Sequence, residues 1–201
     1  MANLRRGTIE WFSPDPRGVI PLETFHVPGS LGRVWRRSMF TIRASTCFET
    51  VMRACAAPRP DGGSWIDERL IAAYVALHET GHAQSVEAWR GERLVGGLYG
   101  VNIAGAFFGE SMFVRPDDGG TNASKLCLIA LVHHLRERGF TLLDTQFWNP
   151  HLDQFGCVEI TRDAYHERLA DALGRSVEWE PWTDVPPAER ATGGGPAPSG
   201  S

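Results

Sequence analysis

Two neighbouring segments, LVGGLYGV (94–101) and FFGESMF (107–113), decide how this chain folds. The first has the apolar and glycine-rich character of a buried strand, and residues 102–105 supply a turn. Residues 106–113 are predicted to return as the second strand of a hairpin. Glu110 is a carboxylate in a run that is otherwise small or apolar, and charged side chains are rarely buried without a partner. Glu110 is therefore the first candidate functional residue.

A helix and a strand follow the hairpin. Apolar residues at helical spacing predict a helix over 123–138, which Gly139 ends. The next predicted strand, 141–146, carries the polar side chains of Asp144 and Gln146 into an apolar element. Because these residues are two positions apart on a strand, they share one face. Asp144 and Gln146 join Glu110 as candidate functional residues.

The order of the elements predicts an α+β fold. Another strand, 83–89, precedes 94–101, so that three antiparallel strands, a helix and a further strand follow one another. We expect a small, basic N-terminal α/β subdomain over 1–63 and a main domain over 64–185. The tail 186–201 is rich in Gly, Pro, Ser and Ala and is expected to be disordered.

The composition is that of a soluble globular protein, with 42% hydrophobic and 22% charged residues. No apolar run approaches the roughly 18 residues that a transmembrane helix needs, and no apolar signal region follows the first residues. These features predict a cytoplasmic protein without a membrane partner. The four cysteines are scattered and form no CxxC pair, which indicates reduced thiols.

Basic and aromatic residues near the N-terminus are candidates for nucleic-acid contact. The net charge of −4 gives no overall attraction for nucleic acid, but Arg33, Arg36 and Arg37 form a local cluster. Trp11 and Arg17 flank a proline-containing turn, an arrangement that suits stacking on a base and holding a phosphate. The alternatives are that the arginines solvate the surface and that the aromatic ring packs in the core.

The segment His78-Glu79-Thr80-Gly81-His82 matches the HExxH pattern of zinc proteases letter for letter. That pattern needs both histidines on one face of a continuing helix. Here Gly81 is placed to end the helix, and His82 leads directly into the strand 83–89. We therefore expect the helix to stop at this turn, and we expect no metal site.

Taken in order, these and other segments resemble the bacterial leucyl/phenylalanyl-tRNA–protein transferases. The resemblance implies an enzyme of the N-end rule that moves leucine or phenylalanine from aminoacyl-tRNA to an acceptor protein beginning with arginine or lysine. It also implies an acetyltransferase-like (GNAT) catalytic domain with a mixed sheet, and we expect no cofactor. The matching segments are WFSPDPRG (11–18), TFHVPGSL (24–31), SWI (64–66), LHETGHAQSVEAW (77–89), LVGGLYGV (94–101), FFGESMF (107–113), NASK (122–125), RGFTLLDTQ (138–146) and PHLDQFG (150–156).

The resemblance gives the three polar residues catalytic roles. Gln146 matches the residue proposed in the family to activate the acceptor amine. Because a neutral amide cannot hold a proton at neutral pH, we expect Gln146 to position the amine instead. We expect Asp144 to accept a hydrogen bond from the Gln146 side-chain amide, and Glu110 to bind an ammonium group. The alternative is that all three are structural polar groups in a core.

A pocket for leucine or phenylalanine must be apolar, and apolar residues such as its candidates are more often found in a plain core. Trp65 matches a family tryptophan near the aminoacyl-adenosine end of the tRNA. Lys125, the one lysine in the chain, points to the loop beside Glu110. The candidate substrate-binding residues are Leu98, Phe107, Met112, Leu128, Trp65 and Lys125.

Two other functions stay open on the sequence alone. The first is an acetyl-CoA-dependent acetyltransferase on the same fold, although Asp117 and Asp118 before the helix would repel a pyrophosphate. The second is a tRNA-binding relative without catalysis, because we expect this chain to lack most of the aromatic N-terminal region that the resemblance implies. We expect binding of the terminal adenosine to be weaker, or rebuilt on Trp11 and Phe12.

Overall fold

The computed structural model describes residues 2–5, 8–37, 40–57 and 66–182, with the backbone alone for residues up to 11. The strands in these ranges are β1 (Ala2–Arg5), β2 (Thr8–Trp11), β3 (Arg17–Ile20), β4 (Thr41–Ala44), β5 (Ala83–Arg90), β6 (Arg93–Ile103), β7 (Ala106–Val114), β8 (Leu142–Gln146) and β9 (Val158–Ile160). The helices are α1 (Gly29–Arg36), α2 (Phe48–Cys55), α3 (Glu68–Glu79), α4 (Ala123–Arg138), α5 (Pro150–Asp153) and α6 (Arg162–Leu173), with a 3-10 turn at Pro116–Asp118.

Within the described ranges, seven strands form one mixed sheet in the order β4-β5-β6-β7-β8-β3-β9. Neighbouring strands are antiparallel except β7 and β8, which are parallel. α4 makes the crossover that a parallel pair requires. The predicted α+β class, the central hairpin and the helix over 123–138 are confirmed.

Helices cover both faces of this sheet. α4 lies in the larger core, where Leu126 and Leu135 are buried. α1 packs on the outer side of α4, with Trp35 stacked on His133, and α4 is therefore apolar nearly all round. α2 and α3 bury the opposite face in a second core that includes Tyr99 of β6. In the part of the chain that the structure describes, every helix is too short or too polar to cross a membrane.

α4 approaches β6 closely because β6 contains glycine at the crossing point. A Cβ at Gly96 would lie 2.6 Å from the Cβ of Ala123, in the first turn of the helix. Glycine in a strand interior commonly marks such a close approach of another backbone. Gly96 thus sets the distance of α4 from the sheet.

β7 and β8 separate part-way along their length. Their parallel pairing joins Ala106, Phe107 and Phe108 to residues 142–144 of β8. Beyond Phe108, β7 continues to Val114 and still pairs with β6. The polar end of β8 lies beside the resulting gap between β7 and β8, and the candidate site lies there.

The N-terminal segment contributes directly to the sheet. β3 pairs with β8 and β9, and β4 pairs with β5. The division into a subdomain over 1–63 and a main domain over 64–185 stays a prediction. Strands from both parts belong to one sheet. The predicted tail 186–201 lies outside the described residues.

The HExxH-like segment forms the predicted end of a helix. α3 ends at Glu79 and β5 begins at Ala83, so that His78 and His82 do not share a helical face. The His78 Nδ1 lies 2.8 Å from the Ala83 carbonyl oxygen, and its ring stacks on Phe48. His78 therefore closes the turn between α3 and β5.

Candidate active site

Glu110 lies at a β-bulge in β7. The pairing of β6 with β7 shifts between Tyr99 and Gly100, which makes Glu110 an additional residue on β7. Bulges often re-aim a side chain next to an active site. Gly100 permits this bulge, because a Cβ there would lie 2.3 Å from the Phe108 carbonyl oxygen. The glycine and the carboxylate of the central hairpin thus belong to one local feature.

Two neutral groups donate hydrogen bonds to the Glu110 carboxylate. Gln146 Nε2 donates to Glu110 Oε2 at 3.1 Å, and the Tyr74 hydroxyl of α3 donates to the same carboxylate. Burial raises the pKa of Glu110 above its ordinary value, while these two hydrogen bonds oppose the rise. A cation beside Glu110 would favour the ionised carboxylate. The environment therefore suits binding of an ammonium or guanidinium group.

Gln146 ends β8 in a strained backbone conformation. Its φ is +68°, and the Phe147 N–H donates to the Thr145 carbonyl oxygen at 2.7 Å, so that Gln146 is the central residue of a γ-turn. Residues held in such sparsely populated regions cost about 1–3 kcal/mol each and cluster at functional sites. The turn carries the Gln146 side chain towards β7.

The side-chain amide of Gln146 has a fixed orientation. Nε2 donates to the Gly109 carbonyl oxygen at 3.2 Å and to Glu110 Oε2 at 3.1 Å. Both acceptors are oxygens, so the nitrogen must lie on this side. Among the described residues, no donor reaches Gln146 Oε1. The amide oxygen is the end of this side chain that a substrate amine can meet.

Asp144 is fully buried and accepts hydrogen bonds from three residues. Arg17 of β3 donates through Nε to Oδ1 at 3.0 Å and through Nη2 to Oδ2 at 2.6 Å. The Tyr165 hydroxyl of α6 donates to Oδ2 at 2.7 Å. The main-chain N–H of Gln146 donates to Oδ1 at 2.7 Å.

The predicted hydrogen bond from the Gln146 side-chain amide to Asp144 is therefore wrong. The γ-turn brings the main chain of Gln146 to Asp144 and sends the side chain to Glu110. Asp144 acts on Gln146 through its backbone, and Arg17 and Tyr165 in turn hold Asp144 in place. Asp144 is a positioning residue in this geometry.

An apolar cavity of about 500 Å³ opens where β7 and β8 separate. This volume is within the usual range of small-molecule sites. Three of the predicted pocket residues, Leu98, Met112 and Leu128, line it. Phe107 does not belong to the lining and is fully buried in the larger core, with its ring stacked on Trp179. The reason is that β7 and β8 are still paired at Phe107, so no gap exists at its level.

Polar groups line part of this cavity. His151 is one of them, and sequence reasoning did not identify it as a candidate. Burial lowers the pKa of His151, and the charge of Lys125 lowers it further, which favours a neutral imidazole. Lys125 itself is half-buried in the first turn of α4, next to the lining residue Ser124. The predicted contact of Lys125 with substrate stays a prediction.

A second cavity, of about 400 Å³, lies against α3. Glu110 lines both cavities, and Gln146 lines the second. Glu110 therefore lies in the wall that the two cavities share, and its hydrogen-bond partner Gln146 lies on the side of the second cavity. Asp144 supports Gln146 from within the sheet.

The predicted tRNA-binding residues have different surroundings. Arg33, Arg36 and Arg37 are exposed in and just after α1. Arg17 is 8% exposed and its guanidinium pairs with Asp144, so its contact with a phosphate stays a prediction that competes with this ion pair. Trp65 lies outside the described residues, as does the side chain of Trp11.

Sequence reasoning missed the two tyrosines that complete the site. Tyr74 fits the apolar period of α3, and Tyr165 sits in the closing helix α6, so both resemble ordinary core residues. Their hydroxyl groups reach Glu110 and Asp144 only through tertiary packing. A tyrosine on the buried face of a helix carries no sequence signal that distinguishes core packing from a contact with a carboxylate of the site.

The chain is similar to known proteins over most of its length. A family model described as leucyl/phenylalanyl-tRNA protein transferase matches residues 19–170. The leucyl/phenylalanyl-tRNA–protein transferase of Paramagnetospirillum magneticum is 53% identical over 170 residues, which are 83% of this chain and 78% of that protein. The protein of the same name from Gloeobacter violaceus is 53% identical over 173 residues, 86% of each chain.

A solved structure, that of L-PGS from Bacillus licheniformis, aligns with a TM-score of 0.46 at 13% identity. The alignment covers 80% of this chain and 65% of that one, less than two thirds of its length.

Proposed function

Because this chain belongs to the leucyl/phenylalanyl-tRNA–protein transferase family, we propose that it is an aminoacyltransferase. It moves leucine or phenylalanine from aminoacyl-tRNA to the N-terminus of an acceptor protein. The acceptor begins with arginine or lysine, and the product is marked for N-end rule degradation in the cytoplasm.

The observation that carries this proposal is that Glu110, the hydrogen-bond partner of Gln146, lines two cavities. A reaction between two substrates needs both reacting groups brought to one point, and good alignment can supply about 7–11 kcal/mol. The 500 Å³ cavity with Leu98, Met112 and Leu128 suits the apolar side chain being transferred. Glu110 suits the positively charged acceptor.

The chemistry asks little of the protein beyond positioning. The acceptor amine attacks the ester carbonyl and a peptide bond forms. The bond between the carbonyl carbon and the ester oxygen breaks, and the ribose leaves with that oxygen. An α-amino group has a pKa of about 7.7–8.0, so that a useful fraction is neutral at physiological pH without a strong base. Gln146 Oε1 accepts a hydrogen bond from this amine and aims its lone pair at the ester. The ribose hydroxyl carries the proton that the amine loses.

The γ-turn holds the side chain of Gln146 in the orientation that this step requires. Asp144 accepts from the Gln146 main-chain N–H, while Glu110 and Gly109 hold Nε2. Backbone and side chain of Gln146 are both fixed before substrate arrives, and such preorganisation avoids a reorganisation cost during reaction. Glu110, Asp144 and Gln146 thereby act as one unit.

The exposed arginines of α1 are proposed to bind the tRNA. Arg33, Arg36 and Arg37 present guanidinium groups that match phosphate geometry. Lys125 adds a positive charge beside the aminoacyl cavity. Contacts by Trp11, Arg17 and Trp65 belong to the same proposal.

The GNAT-like arrangement over 64–185 is part of the proposal. The antiparallel run β5-β6-β7, the crossover α4 and the parallel strand β8 support it. The separation of β7 from β8 supports a reaction site in the gap of the sheet. An acetyl-CoA-dependent reaction receives no comparable support, since the turn before α4 contains the exposed Asp117 and Asp118.

A transfer assay tests the function. Purified protein is incubated with labelled Phe-tRNA or Leu-tRNA and a peptide beginning with arginine, and labelled peptide is measured. We expect transfer by the wild type and a loss of about 100-fold in kcat for Gln146→Ala, because the amine loses its aligning group. Gln154→Ala, which removes an amide from the residue directly after α5, is the matched control and should keep full activity.

Thermal unfolding of the same variants separates chemistry from folding. Gln146→Ala should remain folded, and an unfolded variant would support the alternative that Gln146 is a structural core group. Absence of transfer by folded wild-type protein that still binds tRNA would reject the enzyme. A requirement for acetyl-CoA would favour the acetyltransferase instead.

A further inference from the structure

The second cavity is a groove with an apolar wall on α3. The lining from this helix includes Leu70, Ala73 and Leu77, and the strands opposite contribute Val101 and Ile103. Leu77 and Ile103 are 38% and 45% exposed. Large apolar side chains left open beside a catalytic pair mark a surface that a partner covers.

The charges of the groove are unevenly distributed. Arg17 is paired with Asp144, and Arg69 donates to Asp67 at 2.7 Å. The hydrogen bonds that Glu110 receives from Gln146 and Tyr74 come from neutral groups. A cationic group entering the groove is therefore drawn to the Glu110 end, where Gln146 also lies.

Away from Glu110 the groove offers no described anion to an incoming chain. Apart from Arg69, whose guanidinium pairs with Asp67, its walls there are aliphatic or aromatic and include Phe108 of β7. Only an apolar side chain gains free energy from covering such a surface. A chain whose first residue is basic and whose second residue is apolar therefore matches the groove, which has a carboxylate at one end and apolar walls beyond it.

The two substrates also need separate routes to Gln146. The aminoacyl group fills the cavity beside α4, and the tRNA attached to it occupies that opening. The acceptor must reach Gln146 from another direction, and the groove against α3 is continuous with Gln146. This step rests on the proposed function.

We propose that the groove lined by Leu70, Ala73, Leu77, Val101, Ile103 and Phe108 binds the N-terminal end of the acceptor polypeptide. The basic first residue places its cation at Glu110. The second residue lies on the apolar wall of α3 and β6. The groove thereby selects acceptors that have an apolar side chain at the second position.

Ala73 gives a direct test because it is exposed on α3 and lines the groove. Ala73→Phe fills the groove without disturbing a core. Ala72→Phe makes the same change on the same helix, at an exposed position outside the groove lining, and is the matched control. Steady-state transfer is measured with Phe-tRNA and a peptide beginning Arg-Leu.

We expect Ala73→Phe to raise the KM for the peptide by about 10-fold, the effect of a lost apolar contact. The KM for Phe-tRNA should not change, and Ala72→Phe should behave as wild type. Equal peptide KM values for the two variants, with wild-type transfer intact, would overturn the groove and leave the proposed function standing. A wild type that transfers nothing would overturn both.

A peptide series tests the same groove without any substitution. Wild-type protein should use a peptide beginning Arg-Leu with a KM about 10-fold lower than one beginning Arg-Glu. In Ala73→Phe this preference should shrink, whereas in Ala72→Phe it should persist. A wild type that does not distinguish the two peptides would overturn the selection at the second position.

Discussion

Gln146 combines a strained backbone with the catalytic role that we propose for it. Its φ of +68° is a conformation that glycine adopts more easily than glutamine. The structure compensates for this with the Asp144 hydrogen bond to the Gln146 N–H. Replacement by glycine would relax the backbone and remove the amide oxygen, so the retained strain serves the placement of that oxygen.

Tyr165 is expected to act on the reaction through Asp144. Tyr165→Phe removes the hydroxyl that donates to Oδ2 and keeps the ring that lies 4.9 Å from the Arg17 guanidinium carbon. We expect kcat to fall about 10-fold with the KM of both substrates unchanged, because the hydrogen bond to a charged group contributes about 1.5–3 kcal/mol. Steady-state kinetics below the unfolding temperature measure this.

Tyr99→Phe is the matched change for stability. Its hydroxyl is buried and has no hydrogen-bond partner among the described groups. Its removal should leave the melting temperature unchanged or higher, whereas Tyr165→Phe should lower it. A Tyr165→Phe protein with a lower melting temperature and unchanged kcat would show that Tyr165 supports the fold only.

At the scale of elements, the contact between β3 and the end of β8 sets the position of Gln146. Gly18 pairs with Gln146 across the two strands. A Cβ at Gly18 would lie 2.4 Å from the Phe147 carbonyl carbon and 2.6 Å from the Trp148 nitrogen. These are backbone atoms that cannot move aside independently, so the segment after Gln146 would have to shift as a whole.

Gly18→Ala should therefore damage both stability and activity. We expect a loss of about 1–3 kcal/mol in the free energy of unfolding, as is typical for overpacking, together with a lower kcat. Denaturant unfolding and the transfer assay measure the two effects. Gly29→Ala is the control, because a Cβ there meets nothing within 4 Å; an equal response of both variants would contradict the close-contact explanation.

At the scale of the whole molecule, a net charge of −4 must be reconciled with a polyanionic substrate. Local charge can do this, since exposed charges separated by more than a Debye length are largely screened. α1 carries Arg33 and Arg36 on its exposed side, next to Arg37. Each arginine that contacts a phosphate adds roughly one unit to the salt dependence of tRNA binding.

Arg36→Ala should weaken tRNA binding and reduce the slope of log K against log salt by about one. Arg168→Ala removes the same charge from an exposed position on α6 and should leave the slope unchanged. Binding titrations of tRNA at several salt concentrations measure the slope for each variant. Identical slopes for wild type and Arg36→Ala would exclude a phosphate contact by Arg36.

Local sequence pattern predicted the elements of the sheet because hydrophobic period and glycine position act over a few residues. The helix over 123–138 and the end of α3 before His82 follow from such signals. Glu110, Asp144 and Gln146 could be identified in the same way, as polar groups placed in apolar strands. Glu110 and Gln146 meet beside the gap between β7 and β8, whereas Asp144 lies within the sheet.

The partners of these residues depended on the tertiary structure. Arg17 lies 127 positions from Asp144, and Tyr74 and Tyr165 reach the site from separate helices. No periodicity in the chain encodes such distances, because a hydrogen bond depends on where folded elements meet. Phe107 is a pocket candidate that the tertiary structure excludes, because it is buried where β7 and β8 are still paired. By itself, therefore, the sequence determined the fold class and identified the candidate residues, and only tertiary packing decided which groups hold Gln146 in place and which cavities lie beside Glu110.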